Sequence, residues 1–280
     1  MADISAQLVM ELRNKTGAKM MDAKRALVEA NGDMDKAIEL LREKGQADAA
    51  KRTHRATAEG TIASAQTDDH SAAAIVEVNC ETDFVAKTEQ FTALSNNIAA
   101  WTLGQSAATV GSDALPENIA AEMKEAISKT GENIQFKRGA KLASSNGVVE
   151  SYLHLGGKIG VIVQVDGANN DDVRGLAKDL AMQVAAASPE YLTRDDVPQA
   201  TIEKEMEIYR TLARNEGKPE QILDKIAAGR LEKFYKDNCL IEQPFIKDPD
   251  KQVKALVAEV AKAAGAELTV KAFVRYQLGQ

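Results

Sequence analysis

Val78-Asn79-Cys80-Glu81-Thr82-Asp83-Phe84-Val85-Ala86-Lys87 is the stretch on which the reading of this chain turns. Ahead of it, Ala73 to Val78 is a run of small and β-branched residues, the composition of a buried strand. Behind it, Phe91, Leu94, Ile98 and Trp101 recur at helical spacing. The polar residues between are therefore a strand-to-helix turn, with Thr82 or Asp83 placed to accept the helix's first free N–H groups. Carboxylates at Glu81 and Asp83 suit the positive end of a helix dipole. Phe84 does not belong in a plain turn, and two readings of it stand. Seven residues before Phe91, it falls on nearly the same helical stripe and could top the core face. Alternatively the ring and its neighbouring carboxylate form a projecting plug, an apolar anchor for a pocket on another molecule.

Working outward from Gly60, a hairpin-then-helix plan occurs twice. Thr61 to Thr67 and Ala73 to Cys80 read as strands around the turn Asp68-Asp69-His70-Ser71, and a helix follows to about Gly104. Gly147 to His154 and Ile159 to Val165 read as strands around Leu155-Gly156-Gly157, with a helix over Asp171 to Ala187. The fold class is thus α+β, with two duplicated antiparallel sheet-plus-helix subdomains. The copies differ in their loops. The first has Thr82-Asp83-Phe84-Val85 where the second has the turn-forming Ala168-Asn169-Asn170-Asp171, and the second carries the longer apolar tip Tyr152 to Gly157. Loops on a rigid sheet are where function usually sits. Pro116 to Lys129, with Ile119, Met123 and Ile127 at spacing four, reads as an amphipathic packing helix.

Residues 3 to about 45 read as three short helices. The first carries Ile4, Leu8 and Leu12 and stops near Thr16-Gly17; the second runs from Met20 through Leu27 to Asn31-Gly32. The third starts at Asp33 and ends at Lys44-Gly45. Met20 and Met21 are adjacent, about 100° apart on a helix, so both cannot face a small core. One is expected at the surface, beside Lys24 and Arg25, where a flexible thioether suits an adaptable contact. An Ala-rich basic linker with Lys51, Arg52 and Arg55 follows. Residues 198 to 238 form a helical hairpin about the turn Glu216-Gly217-Lys218-Pro219. Two arms of a few turns are marginal as an isolated coiled coil, so the hairpin must lean on the body or on a second copy. The chain returns through Pro244-Phe245, a helix from Asp250 to Ala264 and a final strand, Glu267 to Tyr276, joining the second sheet. The expected division is a three-helix module (1–46), a linker (47–60), two core subdomains (61–140, and 141–197 with 239–280) and the hairpin insertion (198–238).

Composition bounds the function. The chain has 280 residues, 44% hydrophobic and 28% charged, with only 4% aromatic, so cores must be built from Ala, Val, Leu and Ile. A net charge of −7 argues against nucleic acid as the main partner. Residues 61–135 hold three Lys/Arg against eleven Asp/Glu, a field that steers towards a basic or metal-bearing partner. No apolar run reaches the length of a membrane span, and no signal pattern opens the chain. Cys80 and Cys239 match no metal or redox spacing and read as reduced thiols of a cytoplasmic protein. Gly156-Gly157-Lys158-Ile159 lacks the spacing and Ser/Thr of a phosphate loop, and the three histidines are scattered. Neither a cofactor nor covalent catalysis is expected.

The run Thr-Asp-Phe-Val-Ala-Lys after an Ile-Val-Glu-Val-Asn-Cys strand resembles the signature of bacterial elongation factor Ts, the nucleotide exchange factor of elongation factor Tu. The Arg-Asn-Lys-Thr-Gly-Ala-Lys-Met-Met stretch resembles that family's opening signature, and the first three helices resemble its ubiquitin-associated (UBA-like) module. The resemblance implies that Thr82, Asp83, Phe84 and Val85 dislocate the magnesium ion of the partner. It further implies that Arg13, Met20, Met21 and Lys24 grip the G domain, and that His154 and Leu155 pack on a more distant domain. Some members carry a further C-terminal helix; the resemblance does not imply contacts of that kind for a chain ending at Gly279-Gln280. A possible self-association runs through the helical hairpin. Two other classes of function remain open on the residues alone: an RNA binder using Lys51, Arg52 and Arg55, and a passive adaptor.

Overall fold

The computed structural model describes residues 4–50, 52 and 54–280, so Lys51 of the basic linker lies outside the described residues. Three helices open the chain: α1 (Ala6–Thr16), α2 (Met20–Glu29) and α3 (Met34–Ala50). Ser5 caps α1 by accepting from the Leu8 N–H, and Gly17 ends it in the left-handed conformation that glycine adopts without strain. Val9, Leu12, Ala23, Leu27 and Ala37 form the small core. The third helix departs from the sequence reading by running past Gly45. A Cβ at position 45 would lie 2.3 Å from Ser128 Oγ. This glycine therefore permits a close helix crossing rather than ending a helix.

The middle of the molecule begins with β1 (Glu59–Gln66), β2 (Ala72–Cys80), the single turn α4 (Asp83–Ala86) and α5 (Glu89–Leu103). It continues with β3 (Thr109–Val110), α6 (Glu117–Thr130) and β4 (Ile134–Ala143), giving an antiparallel sheet of order β1-β2-β4-β3. Sequence reasoning missed β4. Its alternation is broken at Lys137, where a bulge opposite Glu77 and Val78 shifts the register. The second sheet, β5-β6-β9, comprises β5 (Gly147–His154), β6 (Ile159–Asp166) and, after the helix α7 (Asp171–Ala187) and the C-terminal segments, β9 (Thr269–Gln277). The last strand joins this sheet as expected from its β-branched and aromatic residues.

Four layers result. β2 is buried at every position. Val76, Val78 and Cys80 face Phe91, Leu94 and Ile98 of α5 and Ile127 of α6. Ala73 and Ile75 face the other way, meeting Val149 and Ile162 of the second sheet. Beyond that sheet, Val161, Val163 and Val165 pack beneath Leu176, Leu180 and Val184 of α7. A strand covered on both faces needs apolar residues throughout, which is why Ala72 to Val76 shows no alternation.

The two sheets also clasp each other by their turns. The Ile62 N–H donates to the Gly157 carbonyl in the β5–β6 turn, and the Val149 N–H donates to the His70 carbonyl in the β1–β2 turn, both at 2.7 Å. Close crossing of the paired strands requires glycine at the start of each hairpin. A Cβ at Gly60 would sit 2.2 Å from the Val78 carbonyl oxygen, and one at Gly147 would sit 2.1 Å from that of Val165.

The helical hairpin is α8 (Gln199–Asn215) and α9 (Leu223–Asn238). Its base is apolar, with Ile202, Leu231, Phe234 and Tyr235 packed against Val197 and Cys239. Towards its turn, ion pairs take over: Arg210–Asp224 at 2.6 Å, and Arg214–Glu220 and Arg230–Glu216 at 2.7 Å. The chain then makes a small hairpin, β7 (Pro244–Phe245) with β8 (Asp248–Gln252), before α10 (Val253–Ala264). The last helix thus begins at Val253 rather than Asp250, because residues 248–252 pair back on Pro244-Phe245. No helix among the described residues is long and apolar enough to cross a membrane.

Candidate functional site

The turn after β2 is built to hold one ring in solvent. Thr82 is the cap of α4, its Oγ1 accepting from the Val85 N–H at 3.4 Å. The helix ends after one turn. Thr88 then restarts it as the cap of α5, accepting from the Phe91 N–H at 3.3 Å. That interruption overturns the reading in which Phe84 continues the stripe of Phe91, for the break at Lys87 and Thr88 takes the two residues off a common helix. Val85 and Phe91 enter the core, while Phe84 is 80% exposed. A phenyl ring so placed gains nothing from its own fold.

Glu132 fixes the base of this knob. Its carboxylate accepts from the Thr82 N–H (3.0 Å) and from the Thr82 hydroxyl (2.6 Å), so one side chain clamps the cap residue twice. Glu81 is anchored alongside by the Asn133 N–H at 2.7 Å and by Arg55 at 3.4 Å. The Asn133 N–H, with Arg55 assisting, holds the Glu81 carboxyl below its ordinary range. Beneath the knob the Cys80 thiol donates to the Thr82 carbonyl at 3.1 Å. Burial, reinforced by the charge of Glu132, pushes that thiol up to about 12, so it stays protonated and unreactive at neutral pH. On the outer side Asp83 pairs with Lys87 at 2.6 Å, which lowers its pKa, and Lys158 contributes from the second sheet's turn. The knob therefore presents a ring and an ionised carboxylate on a rigid base.

The other residues singled out from sequence lie on two surfaces tied to this one. Lys19, the residue before α2, reaches Gly131, and Lys129 lies against Gly17, so the start of α2 is seated on the end of α6 next to Glu132. Met20 and Met21 open α2 and are 43% and 68% exposed. The expectation of a methionine at this surface is met twice over: both face solvent, while Ala23, Ala26 and Leu27 supply the buried side of α2. Arg13 and Lys24 are exposed as well. On the far side of β1, the turn Leu155-Gly156-Gly157 closes on Thr61 and Ile62, where a Cβ at Gly157 would be 2.2 Å from Thr61 Oγ1. His154 is half-buried, its Nδ1 3.0 Å from the Tyr152 hydroxyl. Leu155 is 69% exposed and held at φ 51, a left-handed backbone uncommon for a leucine.

Of the basic linker, Arg52 donates to the Ile127 carbonyl at 3.4 Å and Arg55 pairs with Glu81. Both cations are thus engaged with this chain's own surface. No cluster of His, Cys, Asp or Glu able to hold a metal occurs among the described residues.

A family model described as Elongation factor TS matches residues 81–280, beginning at the first residue of the knob's anchor. The chain belongs to the elongation factor Ts family. It is 46% identical over 285 residues to elongation factor Ts of Clostridium botulinum strain Loch Maree / Type A3, which spans 99% of this chain and 93% of the relative. It is 47% identical over 284 residues to the elongation factor Ts of strain Alaska E43 / Type E3, with the same coverage. Proteins of this family carry out no covalent catalysis.

Within this family member, sequence reasoning located the knob, the methionines and the turn but missed Glu132 and Asn133. The helix stop at Gly131 was legible from its type. That the residues after it clamp Thr82 was not, because the pairing spans 50 positions and joins two loops.

Proposed function

We propose that this protein is the guanine-nucleotide exchange factor of elongation factor Tu and that Thr82, Asp83, Phe84 and Val85 are its working edge. The observation that carries the reading is Phe84: a phenyl ring 80% exposed on a turn clamped from below. Pressed into the partner beside its magnesium site, such a wedge displaces the metal's ligands. Magnesium demands a near-ideal octahedral shell, so a small displacement weakens the hold on GDP. The coupling is reciprocal: bound nucleotide weakens factor binding by the same free energy, which releases the factor when GTP arrives. Nucleotide and metal belong to the partner throughout, and this chain needs no cofactor. Arg13, Met20, Met21 and Lys24 would grip the partner's G domain, and His154 and Leu155 would pack on a second domain, so that the knob is pressed from both sides.

We assign the three opening helices to a UBA-like module, and the division at 46, 60, 140, 197 and 238 to the domain plan. Duplication of the core is supported by one offset that relates equivalent positions. Gly60 and Gly147, Ile62 and Val149, and His70 and Gly157 each stand 87 apart. The helix caps Thr88 and Asn170 are only 82 apart. The main helix of the first unit thus starts five residues later relative to its hairpin, and the added length falls where the four-residue turn α4 stands. The helical hairpin, apolar at its base and ion-paired towards its turn, is read as a short coiled coil able to meet a second copy. A family whose partner works in translation operates in the cytoplasm.

The test is release of a labelled GDP from elongation factor Tu with substoichiometric protein. Acceleration that Phe84→Ala removes is the expected result. Tight binding with an unchanged GDP off-rate would instead identify a passive adaptor.

A further inference from the structure

Arg275 is a cation that has lost water without gaining an acid. Its Nε is closed off from solvent and has no hydrogen-bond partner, and its Nη2 donates to the neutral Gln277 Oε1 at 2.8 Å. Among the described residues its guanidinium makes no salt bridge, and burial is the only influence that lowers its pKa. Buried donors are rarely left in this condition, since an unpaired polar group out of water opposes folding. The side chain as a whole is half-buried, within reach from outside.

Its position in the second sheet is informative. Register puts Tyr152, Val161 and Arg275 in one row across β5, β6 and β9, and His154, Ile159 and Gln277 in the next. Residues paired across an antiparallel ladder face the same side. Tyr152, Ile159 and Val161 belong to the face that packs towards α7, so Arg275 rises from that face too. The second row ends at His154, whose neighbour is the exposed Leu155. A guanidinium with no acidic partner among the described residues thus stands on the strand next to the β5–β6 tip, on the face of the sheet carrying the Tyr152–His154 contact.

We infer that Arg275 docks a carboxylate side chain of the partner GTPase beside the Leu155 tip. The inference rests on the proposed function, because it requires that tip to meet the partner. A guanidinium edge matches the two oxygens of a carboxylate, and the surrounding apolar side chains strengthen such a pair by excluding water. Charge selects the occupant. Binding of a nucleic-acid backbone needs several cations together, whereas the nearest lysine of the turn, Lys158, is already paired with Glu59 at 2.8 Å. One unpaired arginine fits one acidic side chain.

The experiment is GDP release from elongation factor Tu titrated with full-length protein, comparing wild type, R275Q and R275K, alongside thermal melts. R275Q is expected to raise the half-saturating concentration about ten-fold or more, the effect falling there rather than on the rate at saturation. R275K, which keeps the charge but not the fork, is expected to fall between. The melting temperature of R275Q should change little, since no ion pair within this chain is lost and only the hydrogen bond to Gln277 is altered. A half-saturating concentration equal to wild type in R275Q would overturn the inference while leaving the exchange function standing. If R275Q does not fold, R275K carries the test, and an unchanged value there overturns it. Failure of the wild-type protein to accelerate release would instead overturn the functional reading itself.

Discussion

The two hairpin-then-helix units, β1-β2-α5 and β5-β6-α7, solve the same packing problem and spend their loops differently. In both, a glycine opens the first strand, the second strand is buried, and the turn between strands hydrogen-bonds to the opposite sheet. The second unit passes from β6 into α7 through a single cap, Asn170, which accepts from the Val173 N–H at 3.1 Å. The first unit passes through two caps, Thr82 and Thr88, and the turn between them throws Phe84 outward. Conversely, the β1–β2 turn is polar, while the β5–β6 turn carries Leu155 in the open. Each unit thus keeps one connection plain and makes the other a projection. The shared framework supports both projections, and the two units differ in which of their loops projects.

The comparison breaks most sharply at Phe84. Phe84→Ala should lower the acceleration of GDP release by about 30-fold or more, the scale of an interface hot spot. Its stability should stay within about 0.5 kcal/mol of wild type, as for other exposed side chains. A large loss of stability in urea titration would return the ring to the core and end the contrast between the units.

Next come the turn glycines. Gly157→Ala sets a Cβ against Thr61 Oγ1 and the Ile62 carbonyl at a backbone of φ 88, and should cost about 2–3 kcal/mol in urea denaturation. Gly156→Ala meets open space at φ 65 and should cost only about 1 kcal/mol. Equal costs at the two positions would show that strain alone, not the clasp between sheets, sets the requirement.

Glu132→Gln tests the clamp beneath the knob. Weakening the two bonds to Thr82 should cost about 1–2 kcal/mol and reduce exchange several-fold, because the wedge is no longer held at one angle. An unchanged exchange rate beside the stability loss would mean that the ring works without a rigid base.

The smallest effect is in pH. Glu81 has a folded pKa below its unfolded value of 4.5, because the Asn133 N–H and Arg55 favour the charged form. Its contribution to stability is present above 4.5 and is lost as pH falls through the folded value. Melts between neutral pH and about pH 3 should show this loss in wild type and a shallower one in Glu81→Gln; parallel curves would exclude the anchor.

Much of the plan was legible in the residues themselves. Strong stops such as Gly17, Asn31-Gly32 and the Gly217-Lys218-Pro219 turn, together with helical spacing, delimited α1, α2, α6, α8 and α9, since capping and periodicity act within a few residues. Gly45 misled because a glycine between helices serves as well for close approach as for termination, and only the neighbour Ser128 tells them apart. β4 was hidden by a bulge, which breaks the period that identifies a strand.

The sequence by itself determined most of the helices, the paired strands of the two hairpins, the buried character of β2 and the unusual composition of residues 82–85, because these follow from local sterics and the pattern of apolar residues. Only the tertiary structure decided that Phe84 stands clear of its own core, that both methionines face solvent, and that Glu132 grips Thr82. Those outcomes depend on which distant surfaces meet. A contact between residues 50 positions apart leaves no periodic trace in either segment, so it exists for the reader only once the chain has closed on itself.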